Sequence, residues 1–280
     1  MPNKPLVSVC VPVFNSKKTV LNSINSILNQ SYRNIEVIIS DNNSDDGTFE
    51  ICKKLKKKDK RIRLFKQKKN LGLDNFKFVF LRSKGKFIMW HPSHWFRSKN
   101  YIKDNLMSFK DKNIIASFSK ELFFDEYKNK KDWINFNLDK TIYENLKVLI
   151  FYFNRCHGVF YALYRKDDYT PLNEIKSYIA FDWNFAIARI LNGKIKRIKK
   201  SYTLIGRGAS TKQDFFKKNR NYKIEFIFPY YSFFKKFVKQ IIYEKKLDRS
   251  EKFKTIILCV FYLFSRTLQY YKKELKRLLF

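Results

Sequence analysis

Four short apolar runs, separated by helical or turn-rich stretches, set the strongest limit on what this chain can fold into. Residues 6–13 (LVSVCVPV) are apolar and β-branched and lie between Pro5 and Asn15, the pattern of a strand buried on both faces. Ser16 then offers a helix N-cap, and Val20, Ile24, Ile27 and Leu28 follow at helical spacing. A second run, 35–40, ends in the turn-rich DNNSDDGT, after which Phe49, Ile51, Cys52 and Leu55 begin another helix. Residues 62–65 predict a third strand. Asn70, Gly72 and Asn75 punctuate the next helix start, and 87–90 read as a fourth strand. Strand–helix alternation of this kind predicts βαβ units, and so a parallel sheet with helices on both faces.

The remainder is less regular. From 101 to about 164 the pattern reads as mostly helical and rich in aromatics, 179–193 as a helix with Asp182 near its start, and 195–198 as a strand. Beyond about residue 210 the texture turns basic and aromatic, with 18 Lys/Arg against six Asp/Glu from Thr211 to Phe280. The apolar run 256–264 is nine residues long, far short of the roughly 20 that a spanning helix needs. No signal-peptide-length apolar run precedes the first strand. The four cysteines, Cys10, Cys52, Cys156 and Cys259, have no CxxC spacing and read as reduced thiols.

Fifty-nine basic residues against 25 acidic ones give a formal charge of +34. Such a field favours polyanions: nucleic acid, anionic headgroups or phosphate-bearing substrates. Codon bias toward Lys, Asn, Ile and Phe would produce much of the same excess. No nucleic-acid-binding motif accompanies the charge, so nucleic acid is not expected as a partner. Neither GxGxxG nor a P-loop occurs, which removes the usual dinucleotide and nucleoside-triphosphate cradles.

Open α/β sheets bind ligands beyond the carboxyl ends of their strands. Three patches stand at such ends: 12–15 (PVFN), 40–48 (SDNNSDDGT) and the turn HPSH at 91–94. The order VSVCVPVFN, SILNQSY, IEVIISDNNSDDGT, NLGLDNF and SKGKFIMW resembles the nucleotide-binding half of family 2 glycosyltransferases, well over 6–100 and more weakly to about 210. The resemblance implies the glycosyltransferase-A fold. Residues 1–100 would form the nucleotide-sugar-binding half and 101–210 the acceptor half, with 211–280 a helical basic and aromatic extension. It also implies that Pro12, Phe14 and Asn15 sit beside base and ribose, with Asn43, Lys69, Asn70 and Gly72 near ribose or phosphate. Asp41 would accept from the imide N–H of uracil or thymine, a donor that a carboxylate receives strongly and that cytosine lacks. Asp45 and Asp46 read as helix-capping turn residues.

Further along, RCHGVFYALYR resembles the family's segment in which a glycine and an arginine flank an apolar strand. YIAFDWNFAIARILNGKIKRI resembles its later acidic motif, which makes Asp182 the candidate general base; an Asp N-cap is the alternative. SYTLIGRGAST resembles its closing strand, with Arg207 directed to the diphosphate. In the family, the fourth strand ends in an Asp-x-Asp cluster that holds a divalent metal. Here those places fall on about Ser93, His94 and Trp95, which cannot replace paired carboxylates for Mg²⁺ or Mn²⁺. Three readings compete. His91, Ser93, His94, Arg97, Lys99 or Arg207 could meet the leaving diphosphate directly, with no metal cofactor. His91 and His94 could hold a softer metal. Or the domain is inactive and binds a glycan or a partner protein.

If active, the chain is expected to transfer one sugar with inversion from a UDP- or dTDP-sugar, with Asp182 deprotonating the acceptor hydroxyl. The acceptor expected by resemblance is a lipid-linked or growing surface glycan. No QxxRW segment of the processive synthases is present. Lys235, Lys236, Lys239, Lys272, Lys273, Lys276 and Arg277, interleaved with Phe, Tyr and Leu, predict a peripheral cytoplasmic protein on an anionic membrane.

Overall fold

A computed structural model describes residues 4–124, 130–132, 136–153, 157–168, 180–206 and 230–279. The predicted alternation appears in order: β1 (Val7–Val13), α1 (Val20–Leu28), β2 (Ile35–Asp41), α2 (Thr48–Lys58), β3 (Ile62–Lys66), α3 (Asp74–Leu81) and β4 (Phe87–Trp90). β5 (Trp95–Arg97), α4 (Tyr101–Leu106), a 3-10 turn, β6 (Ile114–Phe124) and β7 (Lys130–Asp132) follow. Then come α5 (Ile142–Phe151), α6 (His157–Phe160), β8 (Leu163–Arg165), α7 (Phe181–Asn192) and β9 (Lys194–Ile205). Two helices close the chain, α8 (Tyr231–Tyr243) and α9 (Arg249–Leu279).

The sheet runs β3-β2-β1-β4-β8-β6-β9-β5, with β7 paired to β6. Its first four strands are parallel, Val9 lying between Val37 and Met89. β1 and β2 are buried along nearly their whole length, which is why they read as continuous apolar runs. Beyond β4 the sheet is mixed: β8 is antiparallel to β4 and β6, and β6 is parallel to β9. The chain leaves β1 toward β2 and β3, then returns to the other side of β1 for β4. That reversal opens a crevice beyond the carboxyl ends of β1 and β4, the switch point where such sheets take ligands.

Two sequence expectations need correction. The stretch 101–164 is not mostly helical, because it contains the 11-residue strand β6 at the sheet's centre. Ser16 is not the N-cap of α1. That cap is Thr19, which makes no side-chain capping bond, while the Ser16 hydroxyl is engaged across the crevice. The expected strand at 195–198 extends to Ile205 because it pairs with β6 and then β5.

α8 and α9 pack on the second half. Trp183 stacks on Phe153 (centroids 4.9 Å, planes 5° apart) and on Tyr230 (5.5 Å, 13°), and its edge meets Tyr262 of α9 at 6.0 Å. Phe233, Phe237, Cys259 and Leu263 join the same buried cluster. Trp90 and Trp95 are core residues, 1% and 3% exposed, Trp90 stacking on Phe160 at 5.0 Å. Cys10, Cys52 and Cys259 are free and buried, and burial pushes the Cys52 thiol up to about 12. Cys156 lies outside the described residues.

Candidate active site at the switch point

One end of the crevice is organised around Asp41. β2 carries it inward at the last paired position, opposite Val13, and its side chain is fully buried. One oxygen, Oδ2, accepts from the Ser44 backbone N–H at 3.0 Å. Oδ1 is buried and has no protein hydrogen-bond partner. A buried carboxylate oxygen without a donor is costly, so this position fits a ligand N–H. Asn15, in the left-handed region (φ 43°), ties the β1 end to the β2 loop. Its N–H donates to Ser44 Oγ at 3.0 Å, and its Oδ1 accepts from Asp45 N–H at 3.2 Å. Phe14 beside it is 41% exposed, and Pro12 is half-buried opposite Ser40.

Asn70 and Gly72 form the next wall. Asn70 Oδ1 accepts from Asn42 Nδ2 (2.7 Å) and from Gly72 N–H (2.8 Å), and Asn42 Oδ1 accepts from Leu71 N–H (2.7 Å). Gly72 holds φ 57°, which a side chain would strain. Asn43, also at positive φ, Lys69, Asn70 and Gly72 are exposed. Asn42, which fastens the two loops, went unnoticed in sequence because nothing distinguishes it among its polar neighbours. The N-cap of α2 is Gly47, with no side-chain capping bond, so the capping role expected of Asp45 and Asp46 is corrected. Asp46, one residue before that cap, accepts from Thr48 N–H at 2.9 Å and Lys17 N–H at 2.9 Å. Burial pushes its carboxyl up, and those hydrogen bonds outweigh it and hold the pKa down.

The turn after β4 departs from expectation. Ser93 is nearly buried, and its Oγ lies 2.7 Å from Ser16 Oγ, bridging the loops after β4 and β1. His91 does not face the crevice. It is fully buried, with Nε2 2.8 Å from Ser23 Oγ and 3.2 Å from the Ser23 carbonyl on α1. Burial, then the Arg97 charge, holds its pKa well below the ordinary imidazole value despite the Ser23 bond, so it is neutral. Arg97 is likewise withdrawn. It donates to Thr203 Oγ1 (2.6 Å) and the Tyr161 carbonyl (3.0 Å), and its guanidinium lies 4.2 Å from the Tyr101 ring centre. Neither residue reaches a diphosphate in this arrangement, which corrects their expected roles. Lys99 is exposed beyond β5. His94 alone of the turn's two imidazoles stays half-exposed, and burial lowers its pKa too.

The described residues therefore offer poor ligands for the family's divalent ion. Ser93 is committed to Ser16, Trp95 is buried, and no group of three or more His, Cys, Asp or Glu suited to a metal stands among the described residues. Paired hard carboxylates, which Mg²⁺ and Mn²⁺ prefer, are missing from the turn.

α7 places Asp182 in its first turn, half-buried, behind an Ala180 N-cap at φ 61°. Tyr161 links it to the turn. Burial foremost, and then the Asp182 charge, raise the Tyr161 pKa, and its ring meets Trp95 edge-on at 4.5 Å. Sequence reading passed over Tyr161 because it sits within an aromatic run with no distinguishing neighbour. Gly206 closes the turn from β9, its N–H donating to the His94 carbonyl at 3.1 Å, and a Cβ there would stand 2.4 Å from that oxygen. Arg207 follows it but lies outside the described residues. Gly158 abuts Glu121 and Phe118, where a Cβ would clash at 2.7 and 2.8 Å. Arg165 donates to the Phe109 carbonyl at 2.9 Å.

Comparison with known proteins agrees with this geometry. A glucosyltransferase of Campylobacter jejuni, the GalNAc(5)-diNAcBac-PP-undecaprenol β-1,3-glucosyltransferase, is 27% identical over 238 residues, covering 70% of this chain and 77% of that protein. The Escherichia coli UDP-Glc:α-D-GlcNAc-diphosphoundecaprenol β-1,3-glucosyltransferase WfaP is 32% identical over 117 residues, 41% of this chain and 45% of its own. The chain spans half or less of the length of several other curated relatives. S. aureus TarS 1-349 in complex with UDP-GlcNAc superposes with a TM-score of 0.69 at 17% identity, over 92% of this chain and 72% of that one, a likeness of fold. The pattern of Glycosyl transferase family 2 matches residues 8–172, more than half of the sequence, and with the switch-point crevice in place the chain belongs to that family.

Proposed function

We propose that the protein transfers one sugar, with inversion, from a UDP- or dTDP-sugar to a glycan or lipid-linked acceptor in surface polysaccharide or lipopolysaccharide synthesis. The observation that carries this is Asp41 Oδ1, a buried acceptor without a donor at the carboxyl end of β2. It suits the imide N–H of uracil or thymine and opposes the ring acceptor of cytosine. Phe14 and Pro12 would lie against the base, and Asn15, Asn43, Asn70 and Gly72 around the ribose. Asp182 is the proposed base. It removes the proton of an acceptor hydroxyl as that oxygen attacks the anomeric carbon and the diphosphate departs from the opposite face. The related undecaprenol-linked glucosyltransferases support a lipid-linked acceptor.

Charge growing on the leaving diphosphate needs donors. His94, as a neutral N–H donor, and Arg207 are proposed for that work, without a carboxylate-held cation. The net charge of +34 supports an anionic membrane as the platform, at its cytoplasmic face. Calorimetric titration with UDP, dTDP and CDP tests the reading at its root. UDP or dTDP should bind about tenfold or more tighter than CDP, as one charge-assisted hydrogen bond implies. Equal binding of all three, or none, overturns it. Donor binding without turnover on any acceptor leaves the inactive, glycan-binding role.

A further inference from the structure

Between Phe253 and Tyr271 the side of α9 turned away from the body carries a row of apolar residues. Its inner side buries Thr255, Cys259 and Leu263, and Tyr262 reaches Phe153 at 5.6 Å. Opposite them stand Phe253, Ile257, Val260, Phe264, Leu268 and Tyr271, all exposed. Their separations of three or four residues align them on one face. At about 1.5 Å per residue the row is about 27 Å long. Phe261 lies beside it at 69% exposure, with Phe253 at 65% and Phe264 at 64%, so three phenyl rings are mostly open to solvent. No charged residue interrupts the row from Phe253 to Tyr271, while exposed Lys254 and Lys272 flank it. α8 adds exposed Tyr231, Ile242 and Tyr243 together with Lys235 and Lys239. A contiguous apolar face of this size marks an interaction surface.

We infer that the outer face of α9 docks the protein on an anionic lipid bilayer by entering the headgroup–acyl boundary lengthwise. An apolar row of Phe, Ile and Leu with lysines beside it is the composition of an interfacial helix. Among the described residues no helix is long and apolar enough to cross a membrane, so α9 lies on the surface. Charge selects the occupant. Anionic headgroups complement the lysines, each contributing about 1 kcal/mol near the surface, whereas a second copy would bring one +34 chain against another. The inner side of the same helix touches Trp183, the neighbour of Asp182. Docking would therefore hold the Asp182 side of the crevice about one helix diameter, roughly 10–12 Å, from the lipid, within reach of a lipid-linked acceptor. This deepens the membrane partner proposed above and rests on it.

Vesicle flotation of the full chain tests it, on phosphatidylcholine with and without phosphatidylglycerol, at about 0.1 M and about 1 M salt, where screening lengths are about 10 and 3 Å. The Phe253→Ser/Phe261→Ser/Phe264→Ser variant, altered only at exposed positions, should lose about tenfold or more of its partitioning to anionic vesicles and keep its affinity for UDP. In a separate Leu268→Trp variant, anionic vesicles should shift the emission to shorter wavelength. Wild-type binding by the triple variant, or an unshifted Leu268→Trp spectrum, overturns α9 docking. If Lys235→Glu/Lys239→Glu alone abolishes binding, the membrane partner survives and the apolar face does not. If the wild type floats with no vesicle, both fail, and a dimer that the triple variant dissolves would assign the face to a second copy. UDP affinity, measured alongside, reports separately on the donor site.

Discussion

Ser16 Oγ and Ser93 Oγ meet at 2.7 Å across the crevice between β1 and β4. A hydroxyl pair therefore occupies the turn where relatives of this fold are expected to hold a cation between carboxylates. Two neutral hydroxyls carry no charge to bind a hard divalent ion. Transfer from a UDP- or dTDP-sugar should accordingly proceed at the same initial rate in EDTA as in Mn²⁺ or Mg²⁺. A fall of about tenfold in EDTA, about 1.4 kcal/mol of barrier, restored by metal, would contradict the proposal of a metal-free donor site.

Asp41→Asn isolates the base contact. The Ser44 N–H can still be accepted, but an amide NH₂ or a neutral carbonyl oxygen replaces the charged acceptor at Oδ1. A hydrogen bond to a charged group contributes about 1.5–3 kcal/mol, so UDP affinity should fall by about 10- to 100-fold. The melting temperature of the ligand-free protein should not drop in step, because Oδ1 has no protein partner to lose. Unchanged affinity by calorimetry would move the base elsewhere.

Asp182→Asn should leave UDP affinity in place and lower kcat by about 10²- to 10⁴-fold, the usual contribution of a positioned general base. Tyr161→Phe provides the contrast. Its hydroxyl is near enough for the Asp182 charge to raise its pKa, after burial, yet a packing role predicts little change in kcat. Single-turnover rates separate the two, and a fully active Asp182→Asn protein would remove Asp182 from the mechanism.

Gly206→Ala probes the strap over the turn. Its Cβ would come within 2.4 Å of the His94 carbonyl oxygen, a backbone atom that cannot swing aside. Forced shifts of this kind typically cost about 1–3 kcal/mol, and the His94 turn should move with them. The expected result is a lower denaturation midpoint together with weaker UDP-sugar binding.

The parallel half of the fold was legible because its strands are buried on both faces and interrupted by turn chemistry, as at Asp41 and Gly47. β6 was not. Its ladder mixes Ala116, Ser117 and Ser119 with aromatics, and the two serines bond to Asn105 and Ser201, partners far from obvious in sequence. The site divides in the same way. Asp41 stood out because a strand end fixed its direction. His91 and Arg97 misled because a charged or titratable residue near a strand end can point into the core as easily as into the crevice. Burial against Ser23 and Thr203 decides that, and local sequence does not encode it.

His91 gives the last prediction, and it concerns stability. Its folded-state pKa lies below the unfolded value of about 6.5, because burial and the facing Arg97 charge oppose a proton more than the Ser23 bond favours one; His94 adds a smaller opposing charge. Below pH about 6.5 the unfolded chain therefore binds a proton that the folded chain refuses. His91 costs nothing above that pH. As the pH falls further it destabilises the fold by up to about 1.4 kcal/mol per unit, until its folded pKa is reached. His94, also lowered by burial, adds in the same direction. Urea unfolding between pH 7.5 and 5 should show this decline. His91→Leu should flatten it, since Ser23 Oγ keeps its bond to the Pro92 carbonyl at 3.0 Å and no donor is stranded. An identical pH slope in His91→Leu would mean that His91 is protonated in the folded protein, and the turn would regain the positive charge that its burial denies it.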